Sequence, residues 1–392
     1  MSRGERVVVP SRNDAAAYAC VRSLARHDLS PVVVSEHDAD PAAASRYCDE
    51  AVTVPAPTTD LLAYRDALLG VAARPDVRTI LPVRQHDAYL LSKYRARFEQ
   101  YVSLAVPSFE RLRTVHDRLR LAEIAAAADV PVPETRPLAA VDDLGDDAIV
   151  KARYNVLADA YLPEYTERDC DVVKDVRHLR SGDSIDAAAV RDEMGHDPIV
   201  QEYVHASDEY MVGALCDHGE PVASFQHRQI RGDSYTGGGG VFRKAVDIPE
   251  LRAVSRALLD ELNWHGLACI EYLRDAETGE FKFAEVNPRL WQSLPAAVHA
   301  GAEFPYYYWL QVTGQSDRID CQYEVGAGSH FLVGELGHLL SIVQDSSPHV
   351  ERPSLAGTLA SILGSSYRLP AFDYLRLDDP LPFIQRLRNV SL

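Results

Sequence analysis

Two carboxylates and a carboxamide fall in a short part of the sequence at spacings that suit a cation. Glu285 and Asn287 lie two apart in Phe281-Lys282-Phe283-Ala284-Glu285-Val286-Asn287, and Glu271 lies in Leu267-Ala268-Cys269-Ile270-Glu271-Tyr272. Side chains at i and i+2 of a strand share a face, so Glu285 and Asn287 project together, with Phe281 and Phe283 extending the row. Between the two segments, Glu277-Thr278-Gly279-Glu280 reads as a hairpin turn, which lets Glu271 face the pair from the partner strand. All three supply hard oxygen donors, the kind that Mg²⁺ takes when it bridges a protein to phosphates. The plainer alternative is a solvated polar face of an antiparallel sheet. Pro288 and Arg289 follow directly, placing a guanidinium where it can hold a phosphoryl oxygen in bidentate fashion.

Such a hairpin needs a scaffold. Residues 6 to about 105 alternate β-branched runs (Val7-Val8-Val9, Pro31 to Val34, Ala51 to Val54, Thr79-Ile80-Leu81) with helical patterns, as a doubly wound α/β domain does. Asn13 or Asp14 is placed to cap the first helix, and Ser11-Arg12-Asn13 in the first turn lacks the glycines of a dinucleotide site. A helical stretch over 108–128, with Asp117 as a cap, ends at Val130-Pro131-Val132-Pro133. Two α+β lobes follow. The first runs from the strand Ala148-Ile149-Val150-Lys151 to Ile199-Val200-Gln201-Glu202-Tyr203-Val204; the second contains strands at 209–216 and 221–226, a helix at 250–262 and the hairpin.

Together these segments resemble the ATP-grasp superfamily. The 281–289 run is similar to the strand that supplies the second magnesium-binding glutamate, the asparagine and the phosphate-contacting arginine, and Cys269-Ile270-Glu271-Tyr272 to the strand with the first metal glutamate. The resemblance implies that Lys151 reaches the ATP phosphates and that Gln201, Glu202, Tyr203 and Val204 form the hinge, where the Glu202 carbonyl and the Val204 N–H pair with adenine. It puts Glu209 on the ribose hydroxyls and Arg118 where the superfamily usually has a phosphate-contacting lysine. Arg289-Leu290-Trp291-Gln292-Ser293 and Gly301-Ala302-Glu303-Phe304-Pro305 resemble the carboxylate-amine ligase branch. The superfamily's glycine-rich phosphate loop is replaced after Lys151 by Arg153-Tyr154-Asn155-Val156-Leu157-Ala158-Asp159-Ala160-Tyr161, which restricts the backbone conformations available for binding phosphate.

The expected architecture is a mixture of α/β and α+β units: a pre-ATP-grasp domain (1–107), a linker helix with the small lobe (108–204), the large lobe with the metal site (205–312) and a C-terminal extension packed outside (313–392). The implied reaction is an ATP-dependent ligation with Mg²⁺, or Mn²⁺ in its place. A small-molecule carboxylate becomes an acyl phosphate, an amine captures it, and an amide, ADP and phosphate result. Lys151 and Arg289 are the catalytic candidates. A glycine run from Gly237 to Gly240, flanked by Arg228 and Arg231, reads as a flexible loop that closes over substrate, with Gly238 and Gly239 at its tip. Arg84-Gln85-His86-Asp87 lies where open α/β sheets bind ligands, although Asp87 capping a helix explains it as well. The alternatives are a biotin-carboxylase-like enzyme that activates bicarbonate and a nucleotide-binding regulatory module without turnover; the glycine-poor segment motivates the latter.

Composition narrows the partners. The six cysteines form no metal-spaced cluster, no apolar run is long enough to span a membrane, and the N-terminus shows no leader, so a cytoplasmic chain is expected. Nucleic acid is disfavoured by 58 acidic against 40 basic residues, a formal net charge of -18. The oligomeric state stays open, although the superfamily that the chain resembles often forms dimers, so a homodimer is one expectation. Only five of the basic residues are lysine, and an acidic, lysine-poor surface points to a salt-rich cytoplasm where screening relieves self-repulsion. Thermal denaturation checks this: Tm is expected to rise from low to molar KCl, and an unchanged Tm would remove the halophilic reading.

Overall fold

The computed structural model describes residues 5–141, 145–173, 176–183, 185–346 and 350–389. Its first unit is a parallel sheet in the order β3-β2-β1-β4, built from β1 (Arg6–Ser11), β2 (Ser30–Ser35), β3 (Glu50–Thr53) and β4 (Val77–Ile80). The valines of the central strands β1 and β2 are buried on both faces, as a parallel sheet covered by helices requires. The helices are α1 (Ala15–Arg26), α2 (Leu61–Ala72), α3 (Gln85–Lys93) and the single turn α4 (Arg95–Phe98). Asp14 is the cap of α1, accepting from Ala17 N at 2.8 Å, while Asn13 takes a left-handed conformation (φ 58°) just before it.

The linker is two helices rather than the single expected one. α5 (Phe109–His116) and α6 (Arg118–Ala127) break at Asp117, whose extended backbone and carboxylate cap α6 through Leu119 N and Arg120 N. That break turns Arg118, the first residue of α6, toward the next lobe. There β5 (Thr135–Pro137), β6 (Ala148–Lys151), β9 (Val176–Leu179) and β10 (Ile199–Glu202) form a sheet in the order β5-β10-β6-β9, with α7 (Ala187–Met194) on one face. Ala148, Val150 and Val200 bury against α7, so Ile149, Lys151 and Gln201 point to the opposite face.

The segment after Lys151 forms its own two-stranded sheet, β7 (Val156–Ala158) with β8 (Cys170–Val172). Val156, Ala158 and Cys170 are fully buried in the same core as α2, α3 and α5. Asp159 accepts from Tyr89 and Lys93 of α3, His86 Nε2 lies 3.1 Å from the Cys170 carbonyl, and Leu61 N donates to the Arg168 carbonyl. Where a glycine-rich loop could fold over phosphates, this chain has a hairpin docked on the N-terminal unit.

The large lobe is a six-stranded antiparallel sheet, β15-β14-β11-β12-β13-β16, formed by β11 (Ala206–Asp217), β12 (Glu220–Ser234), β13 (Gly237–Val246), β14 (Gly266–Asp275), β15 (Phe281–Asn287) and β16 (Gly328–His330). One face packs Tyr210, Val212, Ile270 and Tyr272 against α8 (Pro249–Glu261); the other packs Met211, Leu215, Leu267 and Cys269 against α9 (Leu294–His299), α10 (Phe304–Val312) and α1. Gly213 is required at one point of this second face. A Cβ there would sit 2.2 Å from the Trp291 ring, which lies over the strand fully buried.

The C-terminal residues are more than an outer layer. β16 extends the large sheet beside β13, and α11 (Leu332–Gln344), α12 (Leu355–Arg368) and α13 (Leu381–Arg388) follow it. Two arginines of the large sheet are neutralised from here: Arg231 by Glu335 at 2.6 Å and Arg243 by Asp373 at 2.7 Å, each pair almost fully buried. Asp379 accepts from Tyr18 and Ser45, which ties the chain's end back to the N-terminal unit.

Candidate functional site

Glu271 and Glu285 are directly paired across the β14–β15 ladder, and Cys269 pairs with Asn287 in the next row. Directly opposed residues of an antiparallel pair point to one face, so the expected convergence of the two glutamates and Asn287 is present. Asn287 Nδ2 donates to Glu271 Oε1 at 3.3 Å, Asn287 is buried, Glu285 half-buried and Glu271 exposed. The expected row of Phe281 and Phe283 is corrected. A bulge at Ala284 shifts the register between Glu271 and Tyr272, so Phe283 pairs with Tyr272 and joins the core on the other face.

Cationic and amide groups surround the carboxylates from three directions. From α6, Arg118 Nη2 lies 3.5 Å from Glu285 Oε2, held by Nη1 donating to the Ala152 carbonyl at 2.7 Å. From β6 and the residues after it, Lys151 stands 8% exposed and Asn155 Nδ2 donates to Glu285 Oε1 at 3.5 Å. From the N-terminal unit, Gln85 Nε2 donates to Asn287 Oδ1. Arg289 stays beside them, with Nη2 3.5 Å from Asn287 Oδ1 and Nη1 on the Leu290 carbonyl. Arg118 Nε, Asn155 Oδ1 and Gln85 Oε1 are buried without a hydrogen-bond partner among the described residues. Three orphaned polar atoms next to opposed carboxylates are what a site for a charged, oxygen-rich ligand leaves behind. The donor set of two carboxylates and a carboxamide fits a hard divalent cation.

Gln85 and Asn155 are the members that sequence reasoning passed over. Asp87 caps α3, taking Arg84 N at 2.7 Å, as its position at the start of the helix implies. The first helical residue after the cap, Gln85, nevertheless reaches the large lobe. Arg84 itself is spent internally on Glu36, Tyr64 and Asp87.

The hinge residues occupy the end of β10 and the turn after it. Gln201 Nε2 donates to Thr135 Oγ1 at 2.8 Å, and Tyr203 N donates to the Asp147 carbonyl at 3.1 Å with its ring edge-on to His205. Val204 is buried, and Glu202 accepts from Lys282 Nζ at 2.6 Å, bridging the small sheet to the hairpin. Since Ile199 pairs with Lys151, Glu202 lies three residues up the strand from the lysine, about 10 Å away. Glu209 lies on the same sheet face as Met211 and Glu271; burial raises its carboxyl pKa, offset by Gln229 Nε2 donating at 2.6 Å.

The substrate candidates are largely overturned. Arg228 pairs with Tyr210, so it points to the opposite face from Glu271, and it is bound to Asp208. Arg231 is consumed by Glu335 and Ser361. The glycine run is not a loose loop but the first residues of β13, paired with β12 through three register shifts. Its glycines allow close approach: a Cβ on Gly238 would sit 2.0 Å from Asp233 Oδ1, one on Gly240 2.6 Å from Gln229 Oε1, and one on Gly239 3.3 Å from Gln292 Oε1. The face is therefore floored by glycine backbone and lined by Gln229 and Gln292.

No protein-family model matches the sequence. Acetyl-CoA carboxylase 1 of Oryza sativa subsp. japonica is 25% identical over 269 residues, and acetyl-CoA carboxylase 2 of Arabidopsis thaliana 27% over 216 residues. These matches take in 62% and 47% of this chain but only 12% and 9% of those proteins. Solved structures align over most of the chain. The biotin carboxylase domain of Hydrogenobacter thermophilus 2-oxoglutarate carboxylase, solved with MgADP, ADP and bicarbonate, superposes with TM-score 0.59 at 14% identity, over 84% of this chain and 74% of that one. L-amino acid ligase from Bacillus licheniformis gives 0.59 at 12% identity (84% and 79%), and N5-carboxyaminoimidazole synthetase from Staphylococcus aureus 0.58 at 13% (84% and 82%). The chain has the ATP-grasp fold. The parallel N-terminal sheet is consistent with a pre-ATP-grasp domain, and the opposed glutamates of the six-stranded sheet lie close enough to Lys151 to act on its charge.

That lysine is held at a cost. Burial, and then Arg118, lower the Lys151 pKa from the usual 10.5 to about 8, against the opposing pull of Glu285 and Glu271. A lysine with a depressed folded pKa destabilises the protein fully below about pH 8, and the penalty is relieved as pH rises from there toward the unfolded value. Lys151→Met is therefore expected to stabilise the protein at pH 7 by roughly 3 kcal/mol, at about 1.4 kcal/mol per unit, with the gain vanishing toward pH 10. Urea unfolding at the two pH values measures this, and a destabilised variant, or a gain independent of pH, contradicts it.

Proposed function

We propose that this ATP-grasp chain is a carboxylate-amine ligase: it uses MgATP to convert a small-molecule carboxylate to an acyl phosphate, which an amine then captures. The observation that carries this reading is the meeting of opposed Glu271 and Glu285 with Arg118 and Lys151 around orphaned polar atoms. Glu271, Glu285 and Asn287 would hold Mg²⁺, which would supply positive charge against the phosphates; Mn²⁺ suits the same donors. Lys151 and Arg118 bind phosphate oxygens, and Arg289 holds the oxygens of the phosphoryl group in transfer. Gln201 to Val204 offer backbone groups to adenine, and Glu209 accepts from the ribose hydroxyls.

In the first step a substrate carboxylate oxygen bonds to the γ-phosphorus as the bond to the β-γ bridging oxygen breaks, releasing ADP. In the second, the amine nitrogen bonds to the acyl carbon, the carbon–oxygen bond to phosphate breaks, and the nitrogen loses a proton. No protein nucleophile is needed, and positioning with electrostatic stabilisation supplies the rate. The acid is placed over the glycine floor of β13, where Gln229 and Gln292 replace the arginines first considered. Similarity to acetyl-CoA carboxylases and to a biotin carboxylase domain supports a second reading, in which bicarbonate is the acid.

A homodimer is part of this proposal. Leu336, Leu340 and Val343 form one exposed stripe along α11, and Leu355, Leu359, Leu363 (63% exposed) and Tyr367 (88% exposed) another along α12. Among Asp, Glu, Lys and Arg, the two helices hold only Glu335, which is buried against Arg231, and Arg368. In a chain of net charge -18, a charge-free apolar face is where a second copy can approach without repulsion. The biotin carboxylase domain named above was itself solved as a dimer.

Two measurements test these readings. ADP release by the purified protein in high salt, screened with amino acids and other amines, is expected to need an acid and an amine together, and Glu285→Gln to lower it at least about a hundredfold. Bicarbonate dependence would favour the second reading; nucleotide binding without turnover, or a fully active variant, would refute the ligase. Sedimentation is expected to show a dimer that Leu359→Glu with Leu363→Glu converts to monomer. A monomeric wild type, or a variant that stays dimeric, contradicts the proposed face.

A further inference from the structure

A second group of ligating side chains lies at the other end of the large sheet. Asp217 ends β11, and His218 and Gly219 make the two-residue turn into β12, with both residues at positive φ (48° and 93°) as such a turn requires. His265 precedes Gly266, the first residue of β14, which pairs with Cys216. The three residues therefore come from neighbouring strand ends. Glu271 lies six positions beyond His265 along β14, about 20 Å of strand, so this group is distinct from the proposed magnesium site.

The backbone fixes the group. Gly219 N donates to the Trp264 carbonyl at 2.7 Å, clamping the turn to the residue before His265, and Trp264 is fully buried. Gly266 lies so close to the N-terminal unit that a Cβ would be 2.2 Å from the Ala105 carbonyl oxygen. Held this way, the two imidazole rings lie 4.5 Å apart. His218 Nδ1 is 2.7 Å from Asp217 Oδ1, and His265 Nδ1 is 3.2 Å from the same oxygen. The His265 nitrogen is buried and, despite that distance, out of line for a hydrogen bond. All three donor atoms fall within 4.8 Å of one another, so that small side-chain rotations bring them around one ion at bonds of about 2.0–2.2 Å. Beside them is a cavity of about 410 Å³ lined by Asp217, His265, Gln311 and Asp317, which gives oxygen donors and water access on the open side.

We propose that Asp217, His218 and His265 bind a divalent transition metal ion of the zinc class, with solvent or a ligand in the adjoining cavity completing its coordination. Two imidazoles and one carboxylate select Zn²⁺, Co²⁺ or Ni²⁺ over Mg²⁺, which prefers oxygen alone. Bound there, the ion cross-links the β11–β12 turn to the start of β14 against the N-terminal unit.

Titration of the full chain with Zn²⁺ by calorimetry in millimolar Mg²⁺, and with Co²⁺ by visible absorption, tests this. One tight site is expected, kept in Glu285→Gln and weakened at least roughly tenfold in His265→Ala. His218→Ala, at an exposed turn position, is expected to weaken it likewise and keeps the test available if the His265 variant misfolds. Absence of a zinc-selective site in the wild type, equal affinity in the histidine variants, or loss of the site in Glu285→Gln would each overturn the proposal.

Discussion

Two carboxylates set directly opposite one another in a β-ladder repel, and the arrangement around Glu271 and Glu285 is organised by that fact. Arg118 reaches Glu285 from the start of a helix, Lys151 is buried within the field of both, and Asn155 and Asn287 donate to them. These groups come from three parts of the chain: α6, the segment from the end of β6 to β7, and β15 itself. The lobes are thus joined through compensation of one anionic pair, which leaves polar atoms unsatisfied at the centre. A cation carrying phosphates would complete that balance.

The surroundings are rigid where such a site needs rigidity. The hairpin that would be a loose phosphate lid is instead packed into the core under α2, α3 and α5, and Asp159 is fixed by Tyr89 and Lys93. Asn155, just before β7, is also fixed by the linker, its N–H donating to the His116 carbonyl at 3.0 Å. The large sheet is anchored on its far side by Arg231–Glu335 and Arg243–Asp373. Pairs so deeply buried cost more in desolvation than they return unless both partners stay in place, and truncating one would leave an uncompensated charge.

How much of this could be read from the sequence follows from which forces are local. The β15 strand, its two-residue spacing and the Asp117 cap are written in periodicity and capping chemistry, and they were legible. The bulge at Ala284 was not, because an extra residue in a strand leaves no mark on composition, yet it decides that Phe283 faces the core while Glu285 faces the cleft. Arg228 and Arg231 were misjudged for a related reason. Both flank the glycines, but only tertiary pairing shows that one points to the opposite face and the other meets Glu335 from 104 residues further on. Gln85 was hidden behind a correct local explanation, since capping by Asp87 accounts for its neighbours and says nothing about a contact with Asn287, 202 residues away.

If oxygens from β14 and β15 hold a cation whose phosphates lie against Lys151 and Arg118, a crystal structure with Mg²⁺ and a non-hydrolysable ATP analogue will show it. Mg²⁺ is expected at bonding distance from Glu271 and Glu285, with the triphosphate touching Lys151 Nζ and the base at Glu202 to Val204. A nucleotide bound elsewhere, or one whose cation touches neither glutamate, would contradict it.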